Sequence, residues 1–156
     1  MKKKLFTMLF LVLSTTCFAQ IDSTIFKGTL TNKEYNVYLK IDFYDQNIKV
    51  PGQEIFGDMA GFFGDYKDGR KWLITEVSIK DQTASLSIIN DYGSEDLTAE
   101  LSVTPEGKYI FKQLKGSTMK IARNRKWLKL PKTREFIRRS KCDKVWMQRY
   151  KKNLNY

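Results

Sequence analysis

The stretch WLITEVSIKDQTASLSIIN, residues 72–90, decides the fold class of this chain. Apolar and polar side chains alternate with a period of two on both sides of Asp81-Gln82, a pair of residues that suits a tight reversal. A period of two places alternate side chains on one face of a strand, whereas a helix repeats every 3.6 residues. The stretch therefore predicts two antiparallel strands joined by a short turn.

Two further runs alternate in the same way, at residues 35–43 and 97–103, and turn-forming residues lie between all of the runs, as at 67–70 and 104–107. Short connections join neighbouring antiparallel strands, so the sequence predicts an all-β meander of about eight to ten strands. We expect strands near residues 24–31, 35–44, 47–50, 55–66, 72–80, 83–90, 96–103, 108–115, 118–123 and 133–138. Such a meander closes into an up-and-down barrel, which we favour, or folds over as a sandwich.

The chain divides into three segments. Residues 1–19 carry three lysines, then an apolar run, then Cys17-Phe18-Ala19, which is the order of a signal peptide. We expect residues 20–139 to form the barrel or sandwich domain and residues 140–156 to form a basic C-terminal helix and tail. The signal predicts a periplasmic or extracellular protein of a bacterial envelope, without a transmembrane segment in the mature chain. A lipid-modified Cys17 is the alternative.

The hydrophobic period changes to that of a helix after about Ser140, which is suited to be its N-cap. The apolar stripe of this predicted amphipathic helix consists of Cys142, Val145, Trp146, Tyr150 and Leu154.

The composition excludes several kinds of chemistry. The chain has no histidine, so Ser-His-Asp and Cys-His nucleophiles and imidazole-bound metals are excluded. Removal of the signal leaves Cys142 as the one cysteine, and no intramolecular disulfide is then available. We expect no cofactor, no metal and no catalytic residue.

The charge is unevenly distributed along the chain. Residues 20–107 hold 8 Lys/Arg against 15 Asp/Glu, a net charge of −7, whereas residues 108–156 hold 17 against 2, a net charge of +15. This division predicts an anionic ligand or an envelope surface as partner, or a basic segment lying against an acidic body. Export makes nucleic acid the least expected anion.

Aromatic residues interleave with cations in the basic tract, in the pattern of a surface that contacts anionic groups and stacks or anchors rings. Its candidate binding residues are Arg123, Arg125, Lys126, Trp127, Arg138 and Arg139. The alternative is that Trp127, Leu128 and Leu130 complete the core while the charges keep the chain soluble.

Three glycines recur among large apolar side chains in residues 56–64. Glycine in a barrel wall permits a bend or a close backbone approach, which is the interpretation that we favour. The alternative is a ligand contact, for which Phe62, Phe63 and Trp72 are the candidates.

Two groups of carboxylates are weaker candidates. The loop residues Asp91, Glu95 and Asp96 have the oxygen chemistry that calcium needs, but they equally fit an ordinary hairpin loop. A pair of carboxylates for glycoside hydrolysis could come from Asp58, Asp65, Glu76 and Glu100, and the sequence singles out no pair among them.

The meander and the chain length resemble those of lipocalin-like and fatty-acid-binding barrels. In place of the early Gly-x-Trp of lipocalins the chain has Phe26-Lys27-Gly28. The resemblance implies an up-and-down barrel and carries no binding residue to this chain. We therefore expect a non-enzymatic binding module for a small or anionic ligand, with a protein-binding module as the alternative and a carboxylate-dependent polysaccharide hydrolase as a third hypothesis.

Overall fold

The structure, a computed structural model, describes residues 24–140. These residues form twelve β-strands and one short 3-10 helix. The strands are β1 Lys27–Asn32, β2 Val37–Asp42, β3 Ile48–Lys49, β4 Asp58–Met59, β5 Gly61–Asp65, β6 Lys71–Lys80, β7 Thr83–Asn90, β8 Asp96–Val103, β9 Tyr109–Gly116, β10 Lys120–Arg123, β11 Lys126–Lys129 and β12 Thr133–Arg138, and the 3-10 helix is Glu54–Phe56.

Eight of the strands form a closed antiparallel barrel in the order β1, β2, β5, β6, β7, β8, β9, β12. Each strand pairs with the next one along the chain, and β12 closes the barrel on β1 through Leu30 opposite Arg138 and Thr31 opposite Ile137. The predicted all-β meander is therefore confirmed, and of the two predicted closures the barrel is the one observed.

The interior of the barrel is filled by side chains. One contiguous cluster of buried apolar residues runs through it, and its largest members are almost completely inaccessible. Five phenylalanines belong to this cluster. Four of them, Phe26, Phe63, Phe111 and Phe136, are at most 1% exposed, and Phe43 is 3% exposed. Since every barrel strand presents alternate residues inward, the period of two in the sequence becomes this core.

A segment that we call the flap, residues 43–60, connects β2 to β5 and covers part of the outside of the barrel. Its short β3–β4 pair places Ile48 and Val50 against Phe62 and Leu73, which point outward from the wall. β5 is consequently buried on both faces. The single strand predicted for residues 55–66 is wrong, because the 3-10 helix and the left-handed Gly57 (φ 70°) interrupt it.

A β-bulge divides β6 into two phases. The register of β6 against β7 shifts between Ile74 and Glu76, so Ile74 and Val77 both pack against the interior while Leu73 lies in the outer cluster. The uninterrupted face that the alternation suggested for residues 73–79 is therefore broken at Thr75.

The connection from β9 to β12, residues 117–132, folds over one end of the barrel, and we call it the lid hairpin. Its strands β10 and β11 pair only with each other, and they are joined by Asn124 and Arg125, both at positive φ (50° and 63°). Two left-handed residues in a two-residue loop are the geometry of a type I′ turn. The predicted strand 118–123 is thus outside the barrel wall, and β11 was not predicted.

The described residues contain no helix longer than the three residues of the 3-10 helix. The helix predicted from Ser140 is therefore not supported. Apart from Ser140, its residues lie outside the described part of the chain, and so does the predicted signal peptide. Within residues 24–140 no helix is long and apolar enough to cross a membrane.

Candidate binding surface at the lid end of the barrel

The lid hairpin meets two loops of the barrel, residues 66–70 between β5 and β6 and residues 91–95 between β7 and β8. An open cleft of about 320 Å³, which we call the rim cleft, lies between them. Its lining residues are Arg70, Lys71, Trp72, Asn90, Asp91, Tyr92, Ser94, Glu95, Lys120 and Trp127. A second cavity at the same rim, bordered by Phe63, Trp72 and Ile121, holds only about 10 Å³.

An arginine clamp fastens the lid hairpin to the barrel rim. The Arg123 guanidinium forms an ion pair with the Asp65 carboxylate through both of its oxygens, with 3.0 Å from Nη2 to Oδ1. Its Nη2 also donates to the Tyr35 carbonyl at 2.6 Å. Because the Asp65 side chain is 3% exposed, this is a largely buried, charge-assisted contact.

Trp127 connects the lid hairpin to the neighbouring loops. The Arg70 guanidinium lies 4.5 Å from the centre of its indole and the Lys120 ammonium 5.8 Å. Lys120 also pairs with Glu95 at 2.8 Å, which joins the hairpin to the β7–β8 loop. Cations at these distances are attracted to the ring by cation–π interactions. Trp127 is nevertheless 58% exposed, and Tyr92 beside the cleft is 76% exposed.

Four cations of the lid hairpin are exposed and, among the described residues, form no ion pair. They are Arg125, Lys126, Lys129 and Lys132. No acidic residue occurs in residues 117–132, so their fields add rather than cancel. The exposed side of the lid hairpin is therefore a positively charged surface.

The structure brings together only part of the predicted site. Arg125, Lys126 and Trp127 lie together on the lid hairpin, and Arg123 is its clamp. Trp72 is 6% exposed and reaches the rim cleft from the core.

The structure places Phe62 and Phe63 among the buried core residues. Phe62 packs beneath the flap, and Phe63 packs inside the barrel. The neighbouring glycines explain the sequence pattern, because a Cβ on Gly61 would collide with the Lys40 carbonyl and one on Gly64 with the Tyr38 ring. The close approach that we favoured is therefore observed at Gly61 and Gly64, whereas a Cβ on Gly57 would meet nothing within 4 Å.

Arg138 and Arg139 lie at the opposite end of the barrel, where β12 ends. Arg138 donates to the carbonyls of Thr24, Ile25 and Lys27 at 2.7–2.9 Å and contacts the Tyr109 hydroxyl at 2.5 Å. It fixes the segment that leads into β1. The structure therefore does not bring them together with Arg125, because β12 separates the two groups by its whole length.

The acidic loop between β7 and β8 makes the contacts of an ordinary hairpin loop. Asn90 Oδ1 accepts from the backbone N–H groups of Ser94 and Glu95, and Asp91 Oδ2 accepts from the Lys71 N–H at 3.1 Å. Within the part of the chain that the structure describes, no three acidic or cysteine side chains are grouped as metal ligands.

The four carboxylates considered for hydrolysis lie in different settings. Asp65 is held by Arg123, and Asp58 belongs to the flap. Glu76 accepts from the Ser87 hydroxyl on the outside of the barrel, and Glu100 stands opposite Ser85 on the same outer wall. The outward positions of Glu76 and Glu100 are those of a solvent face.

The sequence analysis missed Arg70 and Tyr92 as parts of the surface. Both lie in turns, where the residue types are accounted for by the needs of the turn itself and so do not indicate a site. The available signal was topological, because every second loop of an up-and-down barrel lies at the same end. The loops at 66–70 and 91–95 are two strands apart, so they lie at the same end as the connection from β9 to β12.

Comparison with known proteins gives no match: no protein-family model fits the chain, and no curated protein and no solved structure is significantly similar to it. The fold alone defines the class, an antiparallel eight-stranded β-barrel with a filled interior.

Proposed function

We propose that this chain is an exported, non-enzymatic binding module that holds an anionic partner on the surface of the lid hairpin. One observation carries the proposal: Arg125, Lys126, Lys129 and Lys132 are exposed on one hairpin without an ion pair among the described residues. Clustered cations attract an anion through their summed field, which salt screens over about 8 Å at physiological ionic strength.

The filled interior supports a surface site rather than a hollow ligand cavity. Residues that would line such a cavity instead contact one another, and Leu39, Leu101 and Phe111 are fully buried. A ligand of drug size commonly needs a pocket of about 300–1,000 Å³. The open rim cleft, at about 320 Å³, reaches this size.

The turn of the lid hairpin supports a functional use of the charges. Arg125 occupies a left-handed position, φ 63°, at which glycine is favoured in a type I′ turn. A non-glycine residue there costs about 1 kcal/mol. A cation placed at a strained, exposed tip is typical of a residue kept for binding rather than for folding.

Export is part of the proposal and rests on residues 1–19, whose lysines, apolar run and Cys17-Phe18-Ala19 have the order of a signal peptide. The absence of catalysis rests on the lack of histidine and on the outward positions of Glu76 and Glu100.

A matched pair of triple variants tests the proposal. The test variant carries Arg125→Glu, Lys126→Glu and Lys129→Glu, and the control carries Lys40→Glu, Lys49→Glu and Lys80→Glu. The control lysines are also exposed and also form no ion pair among the described residues. Both variants have the same net charge, so a general charge effect changes them equally.

Retention on immobilised heparin and on vesicles of anionic lipid is measured at low and high salt. The test variant should lose binding, and the control should keep most of it. High salt should release the wild type. Equal retention of the two variants, or no retention of the wild type, would reject the proposal.

A protein partner at the rim cleft is the second candidate, because Trp127 and Tyr92 stand exposed beside it and aromatic residues are enriched at protein interfaces. The distinguishing variant is Trp127→Ala with Tyr92→Ala. An envelope protein that binds the wild type and the triple variant at high salt, but not this aromatic variant, would favour the second candidate.

A further inference from the structure

Arg134 is a buried cation inside the barrel. It lies on β12 with the inward parity of Phe136 and is 3% exposed. Its guanidinium carbon is 4.6 Å from the centre of the Phe111 ring and 5.6 Å from that of Phe63. Among the described residues it forms no ion pair, so its charge has no buried counter-ion in this part of the chain.

One edge of the Arg134 guanidinium lacks an oxygen acceptor. Nη1 donates to the Pro131 carbonyl at 2.9 Å, whereas Nη2 faces the Met119 thioether sulfur at 2.9 Å. Nε has no hydrogen-bond partner among the described residues. Sulfur is a weak acceptor, so the Nε and Nη2 edge is close to unsatisfied.

That edge is costly to bury and has a specific shape. Burial lowers the pKa of Arg134 to about 10, so the side chain is still a cation at neutral pH. A buried donor without a partner is unfavourable, and a buried charge without a counter-ion is more so. The two N–H groups of this edge are parallel and match the two oxygens of a carboxylate.

We propose that the Nε and Nη2 edge of Arg134 is an internal binding site for the carboxylate group of a small monocarboxylate, and that Met119 gives way to it. A singly charged anion neutralises the buried cation, whereas a doubly charged phosphate would leave a net negative charge in the interior. The ligand is short, because the interior beyond Arg134 is filled by Phe63 and Phe111.

The lid hairpin supplies the route to this site. Both hydrogen-bond acceptors of the guanidinium, the Met119 sulfur and the Pro131 carbonyl, belong to residues 117–132. Methionine has three rotatable bonds and a flexible thioether, so Met119 is the neighbour of Arg134 best suited to change its rotamer. This site is inside the barrel and is independent of the surface proposed above, which uses the outward cations of the same hairpin.

The test follows the arginine Nε–H signals of ¹⁵N-labelled mature protein by NMR. Acetate, butyrate, inorganic phosphate or chloride is added at constant ionic strength. The Arg134 signal is assigned by its absence from the spectrum of Arg134→Lys. This variant keeps the positive charge but removes the two parallel N–H groups. Arg139, which lies at the opposite end of the barrel and outside the lid hairpin, reports non-specific effects in the same spectra.

We expect the Arg134 signal to shift saturably with acetate and butyrate, and not with chloride. Met119→Ala, which clears the edge, should lower the dissociation constant by about tenfold. Met119→Leu keeps the volume and should not improve binding. Acetate should raise the melting temperature of Met119→Ala, and it should not raise that of the same variant carrying Arg134→Lys.

Three results would overturn the inference. The Arg134 signal could stay unmoved by both carboxylates in the wild type and in Met119→Ala. It could move with chloride as it moves with acetate, which would show an ionic-strength effect. Saturation by phosphate alone would exclude a monocarboxylate site.

Discussion

In the part of the chain that the structure describes, two short hairpins lie outside the eight-strand barrel, and they differ in the charge that they carry. The flap, residues 43–60, holds one lysine against three acids, a net charge of −2, whereas the lid hairpin, residues 117–132, holds six cations and no acid, a net charge of +6. Each hairpin buries an apolar side chain against the barrel: Val50 of the flap is 1% exposed, and Ile121 of the lid hairpin is 4% exposed.

The two hairpins also differ in what they cover. The flap covers the apolar side chains Phe62 and Leu73 on the outer wall. The lid hairpin covers the open end of the barrel. Beneath it lie the buried ion pair of Arg123 with Asp65 and Arg134, which has no counter-ion within residues 24–140. The comparison teaches that covering apolar surface explains the flap completely, whereas the charges on and under the lid need a further explanation.

The largest expected effect comes from removing the clamp of the lid. Arg123→Gln should lower the free energy of unfolding by about 3–5 kcal/mol, because it leaves the buried Asp65 carboxylate without its partner. Urea denaturation followed by circular dichroism measures this loss.

The control for the clamp is Asp45→Asn in the flap. Asp45 pairs with Lys27, and both side chains are about half exposed (54% and 48%), so the loss should stay below about 1 kcal/mol. Equal losses at the two sites would show that the lid is not held more tightly than the flap.

The apolar anchors should differ less. Ile121→Ala should cost about 3 kcal/mol, because Ile121 belongs to the main core, where a cavity cannot easily collapse. Ile48→Ala removes the same atoms from the small outer cluster, where Ile48 is 8% exposed, and should cost about 2 kcal/mol. Melting curves compare the two, and a larger loss at Ile48 would contradict the ranking.

The barrel wall could be predicted from the sequence, because each of its strands carries its own signal. The predicted bounds of 83–90, 96–103 and 133–138 agree with β7, β8 and β12. Alternation fixes the inward face of each strand, and short turns fix antiparallel neighbours.

The additions to the wall could not be predicted in the same way. All four residues of β11 are exposed, Trp127 and Leu128 included. A strand without a buried face has no alternation of apolar and polar residues by which it could be predicted. The preceding turn, Asn124-Arg125, lacks the glycine that marks a type I′ turn.

The buried charged residues could have been suspected from the sequence, because they occupy positions of the alternation that face the core. Arg134 stands at the inward parity of Phe136, Asp65 at that of Phe63, and Arg123 at that of Ile121. A charged residue in phase with the core is buried or terminates the strand, and the sequence does not distinguish these outcomes.

A replacement under the lid should stabilise the protein. Arg134→Met keeps a long, apolar stem and removes a buried charge that has no counter-ion among the described residues, so the free energy of unfolding should rise by about 2 kcal/mol. Urea denaturation at neutral pH measures the gain. A loss of stability would mean that the cation–π contacts with Phe63 and Phe111 outweigh the cost of burying the charge.

The smallest expected effect separates folding from binding at the two hairpin turns. Arg125 in the lid and Gln46 in the flap both have positive φ, 63° and 49°, and both are exposed. Glycine relieves the strain at such a position but has more freedom to lose on folding, so each change to glycine should raise stability by about 0.5 kcal/mol. Heparin retention should fall for Arg125→Gly and stay unchanged for Gln46→Gly, since only Arg125 belongs to the basic surface. If the two variants gain stability and also bind heparin alike, Arg125 contributes nothing to binding. The strained turn would then not support the proposal that the lid hairpin binds an anionic partner.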